Sequence, residues 1–470
     1  MKWILSSDDI TKVSMKTEPV FTVGTLVYNR AGLVMLFGWL LWGDFVFTMM
    51  ANTMPSILPL LLKEHGATNL QIAFITSTLG MLLNMVMNPI ISYRSDRYRS
   101  RWGRRRPFII WTTPFVVFFL MAVPFSPEIS AYMLHSSILS ALLRYSPISP
   151  LILVFGILTV GFQVFNLFVS SVYYYLIPDV VPQPLLGRFY GLFRIFGAAA
   201  GLVFNYFLYG IAEQHMKELF AGIAVFYGVM IILVCLRVKE GEYPQPKQNI
   251  GSNRLNGVYT YARECFGSVY FWWVFLAYSC TVWASLANSF IVFFYRDEIG
   301  FTLNSYGKLL AVGNVLISVI VYPVGMLLDK WGSHKSLIAG QIIGTAVCIL
   351  AFLTICGKWS AGLWMIAFWL SMTLPGMAIM KWTVDVFPRD RYGQFGSAGA
   401  MFSSCGAVLL SLLCGKIMDR FGIYRFFWLW IAFFTLLGAI AAFVVYRKQT
   451  TNALVNNIQL ETISSLENQR

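Results

Sequence analysis

The sequence predicts an all-α polytopic membrane protein of twelve transmembrane helices, arranged as two six-helix pseudo-repeats. Three observations carry this expectation. Of 470 residues, 57% are hydrophobic and only 12% are charged, and mean hydropathy is +0.66; soluble domains are nearer one-quarter charged. Apolar runs of about 20 residues, the length that crosses a bilayer, recur twelve times between charged or proline-containing breaks. Two short motifs also occur once in each half, in the same order. The same composition excludes a disordered chain, a disulfide-framed secreted domain and a soluble multidomain enzyme.

In chain order, residues 1–32 read as a polar tail with no signal-peptide core. The first half, 33–236, contains apolar runs over Leu33–Leu62, Leu70–Ser92, Pro107–Pro124, Leu151–Ile177, Gly187–Ile211 and Leu219–Leu236. Residues 237–270 are a polar linker containing Pro244 and Pro246. The second half, 271–446, contains Phe271–Tyr295, Tyr306–Leu328, Leu337–Cys356, Leu363–Val384, Gly396–Ile417 and Arg425–Tyr446, with Pro375-Gly376 expected to break its tenth helix. Residues 447–470 form a second polar tail. Between the third and fourth spans, Ile129, Met133, Leu139 and Leu143 recur at near-helical spacing, which predicts an amphipathic helix lying at the membrane surface.

The net charge is 35 − 21 = +14. In a soluble protein this excess would point to nucleic acid. Here about 24 of the Lys and Arg residues fall in segments on one side of the expected topology and about 8 on the other. That asymmetry places both termini in the cytoplasm of a cell (inner) membrane protein, assigns the charge to anionic lipid and leaves nucleic acid no role. The seven cysteines form no CxxC pair and lie mostly in apolar runs, so they read as small buried side chains, with no metal or disulfide expected.

The repeated motifs sit at corresponding helix ends. Pro89-Ile-Ile-Ser-Tyr-Arg-Ser-Asp96-Arg97 in the first half matches Pro323-Val-Gly-Met-Leu-Leu-Asp329-Lys330 in the second. Asp179 before Pro182, with Arg188 beyond, matches Asp385 before Pro388, with Arg391 beyond. Carboxylates at a membrane edge can accept from a neighbouring helix N-terminus and pair with arginine. Such clusters latch a bundle in one conformation and release it in another. The candidate gate set is Asp96, Arg97, Gly103, Arg104, Arg105, Asp179, Arg188, Asp329, Lys330, Asp385 and Arg391.

The run Asn88-Pro89-Ile-Ile-Ser-Tyr-Arg-Ser-Asp96-Arg97-Tyr-Arg-Ser-Arg101-Trp102-Gly103-Arg104-Arg105-Arg106-Pro107-Phe108-Ile109 resembles the major facilitator superfamily. Within it, the glycoside–pentoside–hexuronide:cation symporters and the sucrose transporters are the most similar branches. The resemblance implies alternating access around a central sugar site, driven by a cation gradient, in a monomer without cofactors. Where the sodium-coupled branch carries aspartates, this chain has Asn84 and Asn88; where the sucrose branch carries one, it has Asn166. Sodium prefers charged oxygens, so the proton is favoured over sodium as the coupling cation.

Asp44 lies about 16 Å into the first span at 1.5 Å per residue, near the membrane middle. Arg194 lies about 10 Å into the fifth by the same arithmetic. The superfamily packs these helices in one half, so the two are expected to pair, with proton binding to Asp44 competing with Arg194; a static ion pair is the equal alternative. The superfamily lines its cavity with the first, fourth, seventh and tenth helices, which makes Trp42, Asn52, Gln163, Asn166, Trp283, Asn288, Trp364 and Lys381 the substrate candidates. Sugar sites combine aromatic faces with amides in this way. None of His65, His135, His215 and His334 falls in an expected span. No nucleotide-binding loop and no enzyme-like cluster at one membrane depth is present in the sequence. The expected function is a sugar or glycoside transporter, proton-coupled; an uncoupled facilitator, a carrier of another polar solute and a transporter-like nutrient sensor are the alternatives.

Overall fold

In the computed structural model the described residues are 21–135, 149–182, 185–242, 262–388 and 392–467; the side chains at 89, 92, 93, 96, 97, 135, 187, 188, 392, 393 and 452–467 are not among those described. Twelve helices among them are long and apolar enough to cross a membrane. They are α1 (Arg30–Glu64), α2 (Asn69–Asn88), α3 (Arg106–Leu134), α4 (Pro150–Val180), α5 (Phe189–Glu213) and α6 (Met216–Arg237), then α7 (Val269–Glu298), α8 (Leu303–Trp331), α9 (Ser333–Thr354), α10 (Lys358–Val386), α11 (Gln394–Phe421) and α12 (Tyr424–Thr451). Every expected apolar run has its helix.

Helix packing carries the repeat. In the first half α3 packs on α4 and α6, and α1 packs on α5 and α6. Six helices later, α9 packs on α10 and α12, and α7 on α11 and α12. Small residues make the close approaches. A Cβ added at Gly161 of α4 would collide with the Phe119 ring of α3, and one at Gly340 of α9 would lie 2.6 Å from Cδ of Pro375 in α10. The helix of α10 runs unbroken through Pro375-Gly376, so the expected break is absent.

The chain divides into two compact units, one of 1–248 with 301–315 and one of 249–300 with 316–470. The first part of α8 belongs to the first unit because of its small and aromatic residues. The backbone of Gly307 approaches the Asn205 carbonyl so closely that no Cβ fits, Tyr306 meets Tyr209 at 5.9 Å, and Lys308 lies over the Tyr206 ring at 5.8 Å.

Within the expected N-terminal tail, Phe21–Val23 (β1) and Leu26–Tyr28 (β2) form an antiparallel hairpin. Asn29 then caps α1 by accepting the Gly32 N–H at 2.7 Å. The last helix continues as Phe427–Glu467, so most of the C-terminal tail is helical. His334 lies in the first turn of α9, where its Nδ1 accepts the Trp382 indole N–H at 2.9 Å. Of the expected surface helix, 126–134 is the C-terminal end of α3, and 136–148 lies outside the described residues.

Candidate functional site

In the first unit, α1 places Asp44, Thr48 and Asn52 four residues apart, hence on one helix face. That face meets Gly197 and Gly201 of α5, also four residues apart. A Cβ added at Gly197 would lie 3.3 Å from Asp44 Oδ2 and 3.7 Å from Thr48 Oγ1. One added at Gly201 would lie 3.1 Å from Asn314 Nδ2 and 3.8 Å from Asn52 Nδ2. The two glycines therefore seat a polar stripe of α1, with Asn314 of α8 beside it. Asn52 Nδ2 donates to the Thr48 carbonyl at 2.9 Å, which fixes the amide. Asp44 is only 2% exposed, and among the described residues its Oδ2 has no hydrogen-bond partner. No ion pair joins Asp44 to Arg194 among the described residues; Arg194 stands three residues before Gly197 and has an interaction of its own. Tyr173 of α4 stands close by, but its hydroxyl is committed to the Leu40 carbonyl at 2.5 Å.

A second polar group joins α2 and α4. Asn88 Nδ2 donates to Asn84 Oδ1, and Ser171 Oγ donates to Asn88 Oδ1 at 2.8 Å. The Gln163 amide lies beside Gly80, and Asn166 Oδ1 is buried without a hydrogen-bond partner among the described residues. Trp42 is elsewhere: its ring stacks on Phe45 and meets Phe226 of α6 edge-on at 6.4 Å.

In the second unit Trp283 is a packed core residue, 7% exposed. Its indole N–H donates to the Ser403 carbonyl at 2.9 Å, its own carbonyl accepts from Trp430, and its ring closes on Gly406. Asn288 is exposed just after the short 3₁₀ turn that interrupts α7, and Trp364 is half-buried in α10. A cavity of about 610 Å³ lies between α7, α10 and the start of α11, lined by Tyr278, Thr281, Ile379, Met380, Thr383 and Phe387 among others. Lys381 of α10 pairs with Asp329 of α8 at 2.7 Å.

The gate residues of the first unit form a network. Asp179, at the end of α4, takes Arg104 at 2.6 Å and Arg105 at 3.1 Å. Arg105 also reaches Ser95 Oγ at 2.6 Å and lies over the Tyr175 ring at 5.2 Å. The N-terminus of α3 would leave several backbone N–H groups without acceptors. Glu240, in the linker and 134 or more residues away, supplies one: its carboxylate accepts the N–H groups of Arg104, Arg105 and Arg106 at 2.7–3.1 Å. Gly103 turns at φ +98°, and a Cβ there would lie 2.6 Å from the Glu240 carboxyl carbon. In the second unit Asp385 accepts from Ser333 Oγ at 2.5 Å at the start of α9, in the place corresponding to Asp179. Lys330 is exposed. The side chains of Asp96, Arg97 and Arg188, and residue Arg391 altogether, lie outside the described set. Glu240 and Asn314 carry no periodic or motif signal, and sequence reasoning misses both.

Twelve long apolar helices in two repeated packings are the architecture of a multi-pass membrane protein. Residues 40–402 match the Major Facilitator Superfamily, and the chain belongs to that family. No curated protein sequence matches it. Solved structures with the same fold include the nucleoside transporter NupG (15% identity, TM-score 0.61, covering 87% of this chain and 99% of that one). A D-xylose–proton symporter aligns at 14% identity and TM-score 0.59, over 88% and 96% of the two chains. A bacterial homologue of the human lysosomal transporter Spinster aligns at 14% and 0.63, over 89% and 98%.

Proposed function

We propose that the chain is a secondary transporter that moves a sugar or glycoside by alternating access, coupled to protons through Asp44. The observation that carries this reading is the Asp44 carboxylate, buried at midspan with Oδ2 unpartnered and with Thr48 and Asn52 on the same helix face. A carboxylate inside a membrane is costly unless it has a function or a partner. Proton binding and release at Oδ2 breaks no fixed hydrogen bond. In the first unit the amides of Asn52, Gln163 and Asn166 are the groups that would meet a hydroxyl-rich solute. The resemblance to sugar symporters supports the sugar reading, and a structural neighbour that is a D-xylose–proton symporter is consistent with it.

The latch Asp179–Arg104–Arg105, tied to the linker by Glu240, would hold the cytoplasmic end of the first unit. Both termini lie in the cytoplasm of a cell membrane, and the protein works as a monomer. Counterflow of labelled pentoses, hexoses and glycosides in proteoliposomes tests the substrate class. Exchange of one of these, and its competition by unlabelled sugar, is expected. Failure of every sugar, with exchange of nucleosides instead, would replace the sugar reading.

A further inference from the structure

The segment that carries Glu240 has no regular structure of its own. Residues 238–242, which follow α6, form neither helix nor strand, yet they hold the Glu240 carboxylate against three N–H groups of α3. Ordering each such residue costs backbone entropy, so the segment needs a hold on each side of Glu240. On one side the Val238 N–H donates to the Val234 carbonyl of α6 at 2.8 Å, and the Val238 side chain is buried. On the other side stands the hairpin of β1 and β2. Its turn, with Gly24 at φ +55°, presents Thr25 and Leu26 to the segment. Thr25 Oγ1 accepts the Glu242 N–H at 2.8 Å. A Cβ added at Gly241 would lie 3.0 Å from Thr25 Oγ1 and 3.4 Å from Leu26 Cγ, so the two chains touch closely. The hairpin is in turn rooted in α1, because Asn29 follows β2 directly and caps that helix.

We propose that the N-terminal hairpin is a releasable strap that ties α1 to the α3 latch. Docked, Thr25 holds residues 240–242 so that Glu240 caps α3; lifted, it frees the cap. Thr25 is thus a positioning residue that acts through Glu240. The inference goes beyond the transport reading and does not depend on the solute. Two three-residue strands are too short to be stable without support. Thr25 is exposed, so the docked tip depends on few contacts and opens at low cost. What it controls is larger. Glu240 accepts from Arg104, Arg105 and Arg106, and the first two hold Asp179. Gly103 leaves no room for a Cβ beside the same carboxylate, so Glu240 fits there only while the segment stays in place. The strap also leads back to the helix that bears Asp44. A shift of α1 at its Asn29 end pulls on the linker, and through Glu240 on the latch.

The test is hydrogen–deuterium exchange, followed by mass spectrometry, of the full-length protein in lipid nanodiscs. The amides read are those of Arg104, Arg105 and Arg106, with the amides of Leu337–Cys348 in α9 as the reference. Glu240→Ala sets the rate without a cap. Thr25→Val removes the acceptor of the Glu242 N–H. It should speed exchange at Arg104–Arg106 by about two- to tenfold, the factor that one net hydrogen bond supplies, and leave α9 unchanged. Gly241→Ala, which sets a methyl against Thr25 Oγ1, should act in the same direction. Thr25→Ser keeps the hydroxyl and should exchange as the parent protein does. Thr25→Val should add little in the Glu240→Ala background, because the strap acts through that carboxylate. Unchanged exchange at Arg104–Arg106 in Thr25→Val would overturn the proposal. So would an equal rise in Thr25→Ser, a fully additive rise in Glu240→Ala, or a rise shared by α9.

Discussion

Replacing Glu240 should unfasten the start of α3. Its carboxylate is the acceptor for three successive backbone N–H groups, at 2.7–3.1 Å. A hydrogen bond to a charged group contributes about 1.5–3 kcal/mol, a helix cap about 1 kcal/mol and a carboxylate at a helix N-terminus about 0.3–1 kcal/mol. These overlap, because they describe the same oxygens, so the expected loss for Glu240→Ala is about 3 kcal/mol. At about 2–4 °C per kcal/mol for a domain of this size, the melting temperature should fall by about 6–12 °C. Glu240→Gln keeps one acceptor oxygen and should lose about half as much. Glu242→Ala is the control: its backbone N–H, which alanine keeps, donates to Thr25 Oγ1 at 2.8 Å, and the substitution should shift stability by less than about 0.5 kcal/mol. The assay is thermal unfolding of the purified protein in lipid nanodiscs, followed by tryptophan fluorescence. If Glu240→Ala melts with Glu242→Ala, the cap contributes nothing and the reasoning fails.

Four further substitutions have outcomes set by the same geometry. Gly406→Ala drives a methyl into the Trp283 ring and should cost about 1–3 kcal/mol, read as earlier unfolding; an unchanged scan would show that Trp283 can move aside. Asp179→Asn removes the partner of two arginines only 6% and 18% exposed and should cost at least about 2 kcal/mol. Asp329→Asn, in a pair whose side chains are 77% and 40% exposed, should cost under about 1 kcal/mol; equal costs for the two would contradict the burial argument. Ser333→Ala deletes the hydroxyl that Asp385 accepts and should cost about 1 kcal/mol, with Asp385→Asn in the same background adding little if the pair acts as a unit.

Much of the fold is legible in the sequence because the bilayer imposes one rule. Each span needs a long apolar run, and Leu33–Leu62 or Phe271–Tyr295 satisfies it visibly. Boundaries are less legible because helices continue past the apolar core through polar turns, as α1 does from Arg30 and the last helix does to Glu467. The gate is half legible. Asp179 and Asp385 stand out by repetition, but Glu240 joins Arg104–Arg106 across 134 or more residues, and no local pattern encodes that contact. Lys381 reads as a solute ligand by its helix, whereas its reach to Asp329 depends on which face of α10 meets α8. Asp44 is legible as a lone midspan carboxylate. The juxtaposition of Asp44, Thr48 and Asn52 with Gly197, Gly201 and Asn314 is not, because the glycines matter only through what they allow a second helix to approach.

The central claim is that Asp44 couples transport to protons. The direct measurement is uptake of a labelled sugar found by counterflow into proteoliposomes, under an imposed proton gradient and then a sodium gradient, for the parent protein and Asp44→Asn. Proton-driven accumulation in the parent protein, lost in Asp44→Asn while exchange persists, is the predicted result. Accumulation that survives in Asp44→Asn, or that sodium drives equally in both proteins, would contradict it.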